Sequence, residues 1–154
     1  MAVKNGITRI EQEIKTISTR IKDVSQKAKN ARNIISSIFA NTKKYLLELG
    51  LDESKITERY LFTSNLKELS GAILHKTVFA FRLACLSEVE KHLGIKFPII
   101  LDSPSGKEID QQNIQAMINI LKRDFSDNQI IIASIYNYNL DNVHSINIIN
   151  KLIE

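Results

Sequence analysis

Proline, glycine and cysteine are scarce in this chain, and tryptophan is absent. The 154 residues include two prolines, five glycines and one cysteine. With Cys85 as the single cysteine, no internal disulfide can form and no Cys-x-x-Cys pair can hold zinc. Apolar runs such as residues 97–101 and 130–133 are too short to cross a bilayer, and no export signal opens the chain. We therefore expect a protein of the reducing cytoplasm with no membrane partner.

A glycine loop that grips phosphates is also missing. Nucleotide-binding P-loops have the pattern G-x-x-x-x-G-K-[ST], whose backbone amides surround the phosphates. The pair Gly106–Lys107 has no glycine five residues before Gly106, and Glu108 follows it. The three histidines are not spaced as a metal set, and no G-x-S-x-G elbow occurs. Tight ATP binding by this chain alone is therefore not expected.

Charge is unevenly distributed along the chain. Residues 1–50 have ten Lys and Arg against four Asp and Glu, a net of +6, whereas the remainder has eleven against thirteen, a net of −2. A basic stretch beside a slightly acidic one indicates a polyanionic partner such as DNA for the basic part. The alternative is an ordinary solvated helix surface.

The first fifty residues show a heptad pattern. Apolar or small residues follow one another at steps of three and four, which average 3.5 residues. This stripe consists of Ile7, Ile10, Ile14, Ile17, Ile21, Val24, Ala28, Ala31, Ile35 and Ile38. Thr42, Tyr45 and Leu49 continue the register less regularly, and Gly50 supplies a helix stop. The pattern predicts a coiled-coil arm over residues 1–50, whose partner helix comes from another chain or from sequence outside this one. The alternative is an amphipathic helix folded onto its own domain.

Residues 51–154 alternate between helical and strand patterns. Residues 51–65 are ambiguous, with helical character and a short strand near Tyr60–Thr63. Further on, a helix is predicted from Gly71 or Ala72 to Leu93, capped by Ser70 and closed by Gly94. Continuous apolar runs predict buried strands at 97–101 and 129–134, with a helix between them at 110–125 and a third strand at 144–149. This order predicts an α/β fold with a small parallel sheet.

Functional groups are expected where the parallel strands end. In such sheets they gather at the carboxyl ends of the strands, which here are Asp102 and Ser134. A carboxylate at that position can hold magnesium through water, although Asp102 before Pro104 can also be a turn residue. Ser70 and Gly71 begin a long helix, whose free amides suit a phosphate, although a plain helix cap has the same sequence.

The order of these features resembles the C-terminal lobe of the SMC-like, coiled-coil ABC ATPases that maintain chromosomes and repair breaks. A heptad helix leads to Leu-Ser-Gly and a long helix, then to an apolar strand ending in Asp-Ser-Pro, a helix and another apolar strand. The resemblance covers nearly the whole chain and is carried by the order, since each motif alone is degenerate. It implies one half of an ATPase head, used in DNA repair, chromosome handling or phage defence.

The resemblance also implies roles for individual residues. Ser70 and Gly71 correspond to the signature loop, which reaches across a head dimer to the γ-phosphate of the partner's ATP. Asp102 corresponds to the Walker B carboxylate that supports magnesium. Residues 105–110, ending at Asp110, correspond to the loop that crosses the dimer interface, and residues 134–136 correspond to the switch region.

Several positions depart from the family pattern. Ser103 stands where the family has the glutamate that positions the attacking water. Glu108 and Asp110 are the candidates to replace that glutamate. Ala72 replaces a second glycine, and the switch histidine is missing. ATP hydrolysis with magnesium is expected only in combination with an N-terminal lobe that carries a P-loop. Two alternatives stay open: a non-catalytic coiled-coil dimerisation module, and a nuclease-like metal site at Asp102, Glu108 and Asp110.

Overall fold

The fold is α/β, mostly helical with one small parallel sheet. The computed structural model describes residues 2–51, 56–64, 66–69, 71–102, 111–134, 138 and 143–146, with side chains from Ile10 onward except that of Lys67. Its elements are α1 (Ala2–Glu48), α2 (Glu58–Thr63), a 3-10 turn (Leu66–Glu68), α3 (Gly71–Leu93), β1 (Ile99–Asp102), α4 (Gln111–Asp124) and β2 (Ile130–Ala133). Within these ranges, no helix is both long and apolar enough to cross a membrane.

Two compact units make up the chain. The first is Met1–Phe97 and the second is Pro98–Glu154. The first unit contains the helices α1, α2 and α3, and the second contains the sheet and α4. The division between arm and lobe at residue 50 stays a prediction.

The long helix α1 ends as the sequence predicts, at Gly50. The backbone of Gly50 has a φ of 67°, which glycine adopts without the steric penalty of a Cβ. The amide of Gly50 donates to the carbonyl of Leu47 at 2.9 Å, and the amide of Leu51 donates to that of Leu46 at 3.0 Å. These two bonds form a Schellman motif, which satisfies carbonyls that the end of a helix leaves without partners.

The heptad stripe of α1 has two different environments. Its last members, Thr42, Tyr45 and Leu49, are buried together with Leu46, where α1 packs on α3. Further from α3, the stripe is open: the side chains between residues 10 and 24 are 55–64% exposed, namely Ile10, Ile14, Ile17, Ile21 and Val24. The predicted seam is therefore used by the chain's own fold at one end and left uncovered, within the described residues, at the other.

The ambiguous segment after α1 is helical. The strand predicted near Tyr60–Thr63 is wrong, because these residues belong to α2. Thr57 begins that helix: its side chain accepts a hydrogen bond from the amide of Tyr60 at 3.1 Å, the usual bond of an N-cap. Phe62 of α2 then meets Phe81 of α3 edge to face, with ring centroids 5.6 Å apart.

The predicted pair of strands is confirmed, and the strands are parallel. Ile99 pairs with Ile130, and the register runs on to Asp102 and Ala133. The helix between them, α4, was expected at residues 110–125 and runs over Gln111–Asp124. Its inward side chains are buried, and these are Ile114, Met117, Ile118, Ile120 and Leu121.

The strands are covered less completely than their apolar runs predict. Ile99 is buried, but Ile100 and its neighbour in register, Ile131, are 67% and 45% exposed. A continuous apolar run indicates a strand buried on both faces, because parallel sheets are normally covered on both sides. In the described residues only one face is covered. For the third predicted strand at 144–149, the described residues 143–146 form no strand, and the remainder lies outside the described residues.

Two adjacent leucines of α1 test the packing of α1 on α3. Leu46 is fully buried, whereas Leu47 is 64% exposed. Leu46→Ala leaves a cavity and is expected to lower the free energy of unfolding of the first unit by about 2–5 kcal/mol. Leu47→Ala, the matched control, should change it by less than about 0.5 kcal/mol. Urea denaturation followed by circular dichroism measures both, and equal effects would contradict this packing.

Candidate functional site

Gly71, the predicted signature glycine, is the first residue of α3. Its φ of 58° lies in the left-handed region, where a residue with a Cβ is strained. The chain can therefore turn sharply into a helix of 23 residues, whose first amides have no partner within the helix. Ser70, which precedes Gly71, lies outside the described residues, and its role stays a prediction.

Asp102, the predicted Walker B carboxylate, is the last residue of β1 and is exposed. It is aligned with Ala133 at the end of β2, and Ser134 comes next along the chain. Because β1 and β2 are parallel, their carboxyl ends lie at the same edge of the sheet. The hydroxyl of Ser134 forms a 2.7 Å hydrogen bond with that of Tyr138. One polar edge thus brings together Asp102, Ser134 and Tyr138.

The other predicted site residues lie outside the described residues. Ser103, Glu108 and Asp110 belong to the segment 103–110, and the remainder of the predicted switch is at 135–137. Their predicted roles as water-positioning or nucleotide-contacting groups stay predictions.

Among the described residues, Asp102 has the chemistry of a magnesium ligand. An exposed carboxylate at a strand end suits magnesium, which keeps several waters and needs one or two carboxylates besides phosphate. Among the described side chains, no group of three or more His, Cys, Asp and Glu is placed to hold a metal ion by itself. The sequence has no P-loop to surround the phosphates. Asp102 is therefore suited to supporting a metal that is bound mainly by other groups.

A buried lysine joins the end of α1 to α3. The ammonium of Lys76 donates to the carbonyl of Leu49 at 2.7 Å, in a buried position. A cation here also faces the negative end of the α1 dipole. Lys76 is five residues after Gly71, so the helix that begins at the predicted signature glycine holds the base of the arm. The sequence signal for this contact is a lysine within the strongly apolar helix 71–93.

Two glutamates of α3 are also buried, and one of them contacts α1. Glu88 accepts a 2.7 Å hydrogen bond from the hydroxyl of Ser37 on α1. Glu90 accepts from the amide of Phe97 and from the ammonium of Lys96, each at 3.0 Å. Hydrogen bonds to ionised groups contribute more than neutral ones, about 1.5–3 kcal/mol. Glu88 holds the arm, and Glu90 orders the segment that precedes β1 in the chain.

Cys85 on α3 is not a candidate nucleophile. It is half-buried, and desolvation raises the pKa of its thiol above the usual value. The thiolate is the reactive form, so a raised pKa leaves less of it at neutral pH.

No known family profile matches this chain. The chain is similar to the Lamassu protein LmuB of Bacillus cereus (strain VD014), with 26% identity over 129 residues. The match covers 80% of this chain and 23% of LmuB, so the chain spans less than a quarter of that relative's length. This weak and partial similarity supports an SMC-like relationship and nothing finer.

Gly71 and Gly94 form a matched pair for testing the backbone. Both have a positive φ, 58° and 69° respectively. An added Cβ at Gly94 meets no atom within 4 Å, so alanine there costs backbone strain alone. Each substitution by alanine is expected to lower the free energy of unfolding by about 1–2 kcal/mol. Chemical denaturation of both variants checks this, and an unchanged Gly71→Ala protein would show that residue 71 does not need a left-handed backbone.

Proposed function

We propose that this chain is the C-terminal half of an SMC-like ATPase head that acts on DNA in anti-phage defence. It contributes Ser70 and Gly71 as signature loop and Asp102 as Walker B carboxylate to ATP that a P-loop lobe outside this chain binds. The observation that carries the proposal is the exposed Asp102 at the carboxyl edge of a parallel sheet. It follows, in the family's order, a heptad arm and a long helix that begins at a left-handed glycine.

The similarity to LmuB supports this proposal from outside the structure. A relationship with a Lamassu protein fits an SMC-like, anti-phage role and suggests a protein partner. Most of LmuB lies beyond the matched region, which leaves room there for the parts that this chain lacks. We infer that a P-loop lobe and the partner helix of the arm are among those parts, and that two heads dimerise around ATP.

Each unit of the chain has its own task in this proposal. In the first, the hydroxyl of Ser70 and the amides at the start of α3 meet the γ-phosphate of the ATP held by the opposite head. In the second, Asp102 would hold magnesium through a water, and the bound ion would supply positive charge beside the phosphates. Ser103 is a poor base, so Glu108 or Asp110 positions the attacking water.

Asp102 and Asp127 provide a direct test of this function. A P-loop lobe encoded beside this chain, expressed separately, should restore magnesium-dependent ATP hydrolysis when it is mixed with the chain, which alone shows no saturable ATP binding. In the mixture, Asp102→Asn should lower the hydrolysis rate by on the order of 100-fold, the effect of losing one main charge-stabilising group.

Asp127 is an exposed aspartate in the turn after α4, and Asp127→Asn is the matched control that should retain the rate. Ser70→Arg, which blocks the approach to the opposite phosphate, should abolish hydrolysis as well. Unchanged rates of ATP hydrolysis in both the Asp102 and Ser70 variants would contradict the proposal.

A second function is favoured by the open part of the heptad stripe. Five consecutive members of the stripe, from Ile10 to Val24, are exposed over about four helical turns, with the spacing of a coiled coil. A soluble monomer rarely leaves so long an apolar stripe uncovered. The chain as a non-catalytic dimerisation module would bury it against a second copy.

Sedimentation equilibrium separates the two functions. The dimerisation module predicts a mass that doubles with micromolar concentration. It also predicts that Ile14→Gln with Ile21→Gln keeps the chain monomeric, because each glutamine puts a polar group into the seam. Thr16→Gln with Thr19→Gln, on the opposite face of the same turns, is the control that should still dimerise. A chain that is monomeric at all concentrations contradicts this second function.

A further inference from the structure

A straight row of lysines runs along one face of α1. Lys15, Lys22 and Lys29 are seven residues apart and all exposed. Seven residues advance a helix by about 10.5 Å and nearly two full turns, so the three ammonium groups lie on one face over about 21 Å. Ser36 and Lys43 occupy the next two places of the row, and the ammonium of Lys43 lies 5.7 Å from the Phe39 ring.

The charge of this row is not neutralised by its own helix. Between residues 14 and 47, Asp23 is the single acidic residue, and it is paired with Lys27 at 3.0 Å. Glu11, one turn before Lys15, forms no ion pair with it in the described part of the chain. Among the described side chains, Lys15, Lys22 and Lys29 take part in no ion pair. Like charges held in a line at about the Debye length of 0.1 M salt attract a polyanion whose own charges are repeated.

The row and the heptad stripe lie on different sides of α1. Each lysine follows a stripe residue directly, after Ile14, Ile21 and Ala28. That is heptad position b when the stripe occupies a and d, and position b faces solvent in a two-stranded coiled coil. The arm can therefore pair with its partner helix and present the lysine row at the same time.

We propose that Lys15, Lys22 and Lys29 bind the phosphate backbone of a double-helical nucleic acid, without regard to base sequence. No aromatic residue occurs between residues 10 and 38 to stack on unpaired bases, which excludes the usual platform for single strands. Regularly spaced ammonium groups on a rod match a regular array of phosphates, and contacts to phosphate carry affinity rather than sequence preference.

The position of the row argues against an anionic membrane surface as the ligand. Helices that lie on membranes insert their apolar face and place lysines along its borders. Here the lysines stand away from the isoleucine stripe, so a helix that inserted the stripe would point the row towards water. The inference rests on the part of the proposed function in which the chain acts on DNA. It does not depend on ATP or on a P-loop lobe.

The test uses the whole chain without nucleotide or magnesium. Fluorescence anisotropy with a 30-base-pair DNA duplex of arbitrary sequence is expected to show micromolar binding that weakens steeply with salt. Changing all three lysines to glutamine should weaken binding about tenfold or more. It should also reduce the slope of log K against log salt by about 2.7, since each phosphate contact contributes about 0.9. Circular dichroism establishes that the variant keeps its helix.

The control removes the same charge from the same helix. Arg20→Gln, Lys27→Gln and Arg32→Gln together should lower the slope by less than about one contact's share. Equal losses in the two triple variants, or tighter binding to vesicles of phosphatidylserine than to duplex, would overturn the inference. The same titration with an RNA duplex of the same sequence shows whether the chain binds double-helical DNA or RNA more tightly. Failure of this test leaves the ATPase proposal standing, because that depends on Asp102 and Ser70.

Discussion

The last three turns of α1 lie against α3, and the remainder of the first unit is organised by this contact. Burying side chains such as Tyr45, Leu46 and Leu49 stabilises the contact by about 1.5–3 kcal/mol each before entropy is subtracted. Two of the buried polar groups have partners there: Lys76 donates to the carbonyl of Leu49, and Glu88 accepts from Ser37. Hydrophobic burial supplies the adhesion, and the two polar contacts specify the register between the helices.

Apolar surface is left uncovered in both units, in places of different geometry. In the first it is a stripe of isoleucines with coiled-coil spacing, and in the second it is a pair of isoleucines, Ile100 and Ile131, on one face of a parallel sheet. A two-stranded sheet is marginal alone, and parallel sheets are normally covered on both faces. Both features agree with a chain that works as part of a larger assembly, as the proposed head would.

Periodicity in the sequence was sufficient for α1, α3, α4 and the parallel strands, because each has a long or continuous apolar pattern. The strand expected near Tyr60–Thr63 was wrong because a short segment lacks periodicity and Thr57 caps a helix there. The double-faced burial of β1 was wrong because an apolar run does not say whether its cover is in the same chain. A lysine within the apolar helix 71–93 stands out in the sequence, but the partners of Lys76 and Glu88 could not be foreseen, since they are 27 and 51 residues away. In the candidate site, the position of Asp102 at the edge of the sheet could be predicted from the strand pattern. Ser70 and the segment 103–110 lie outside the described residues.

The Schellman turn at Gly50 gives α1 an abrupt, well-bonded end, and this has a mechanical meaning. A helix of 47 residues is about 70 Å long. A tilt of about 10° at its base therefore displaces its tip by about 12 Å, as simple lever geometry on that length requires. In the opposite direction, a displacement of the tip becomes a small rotation at Lys76, one and a half turns from the residue where α3 begins. The same joint that holds the arm thus converts distance at one end into angle at the other.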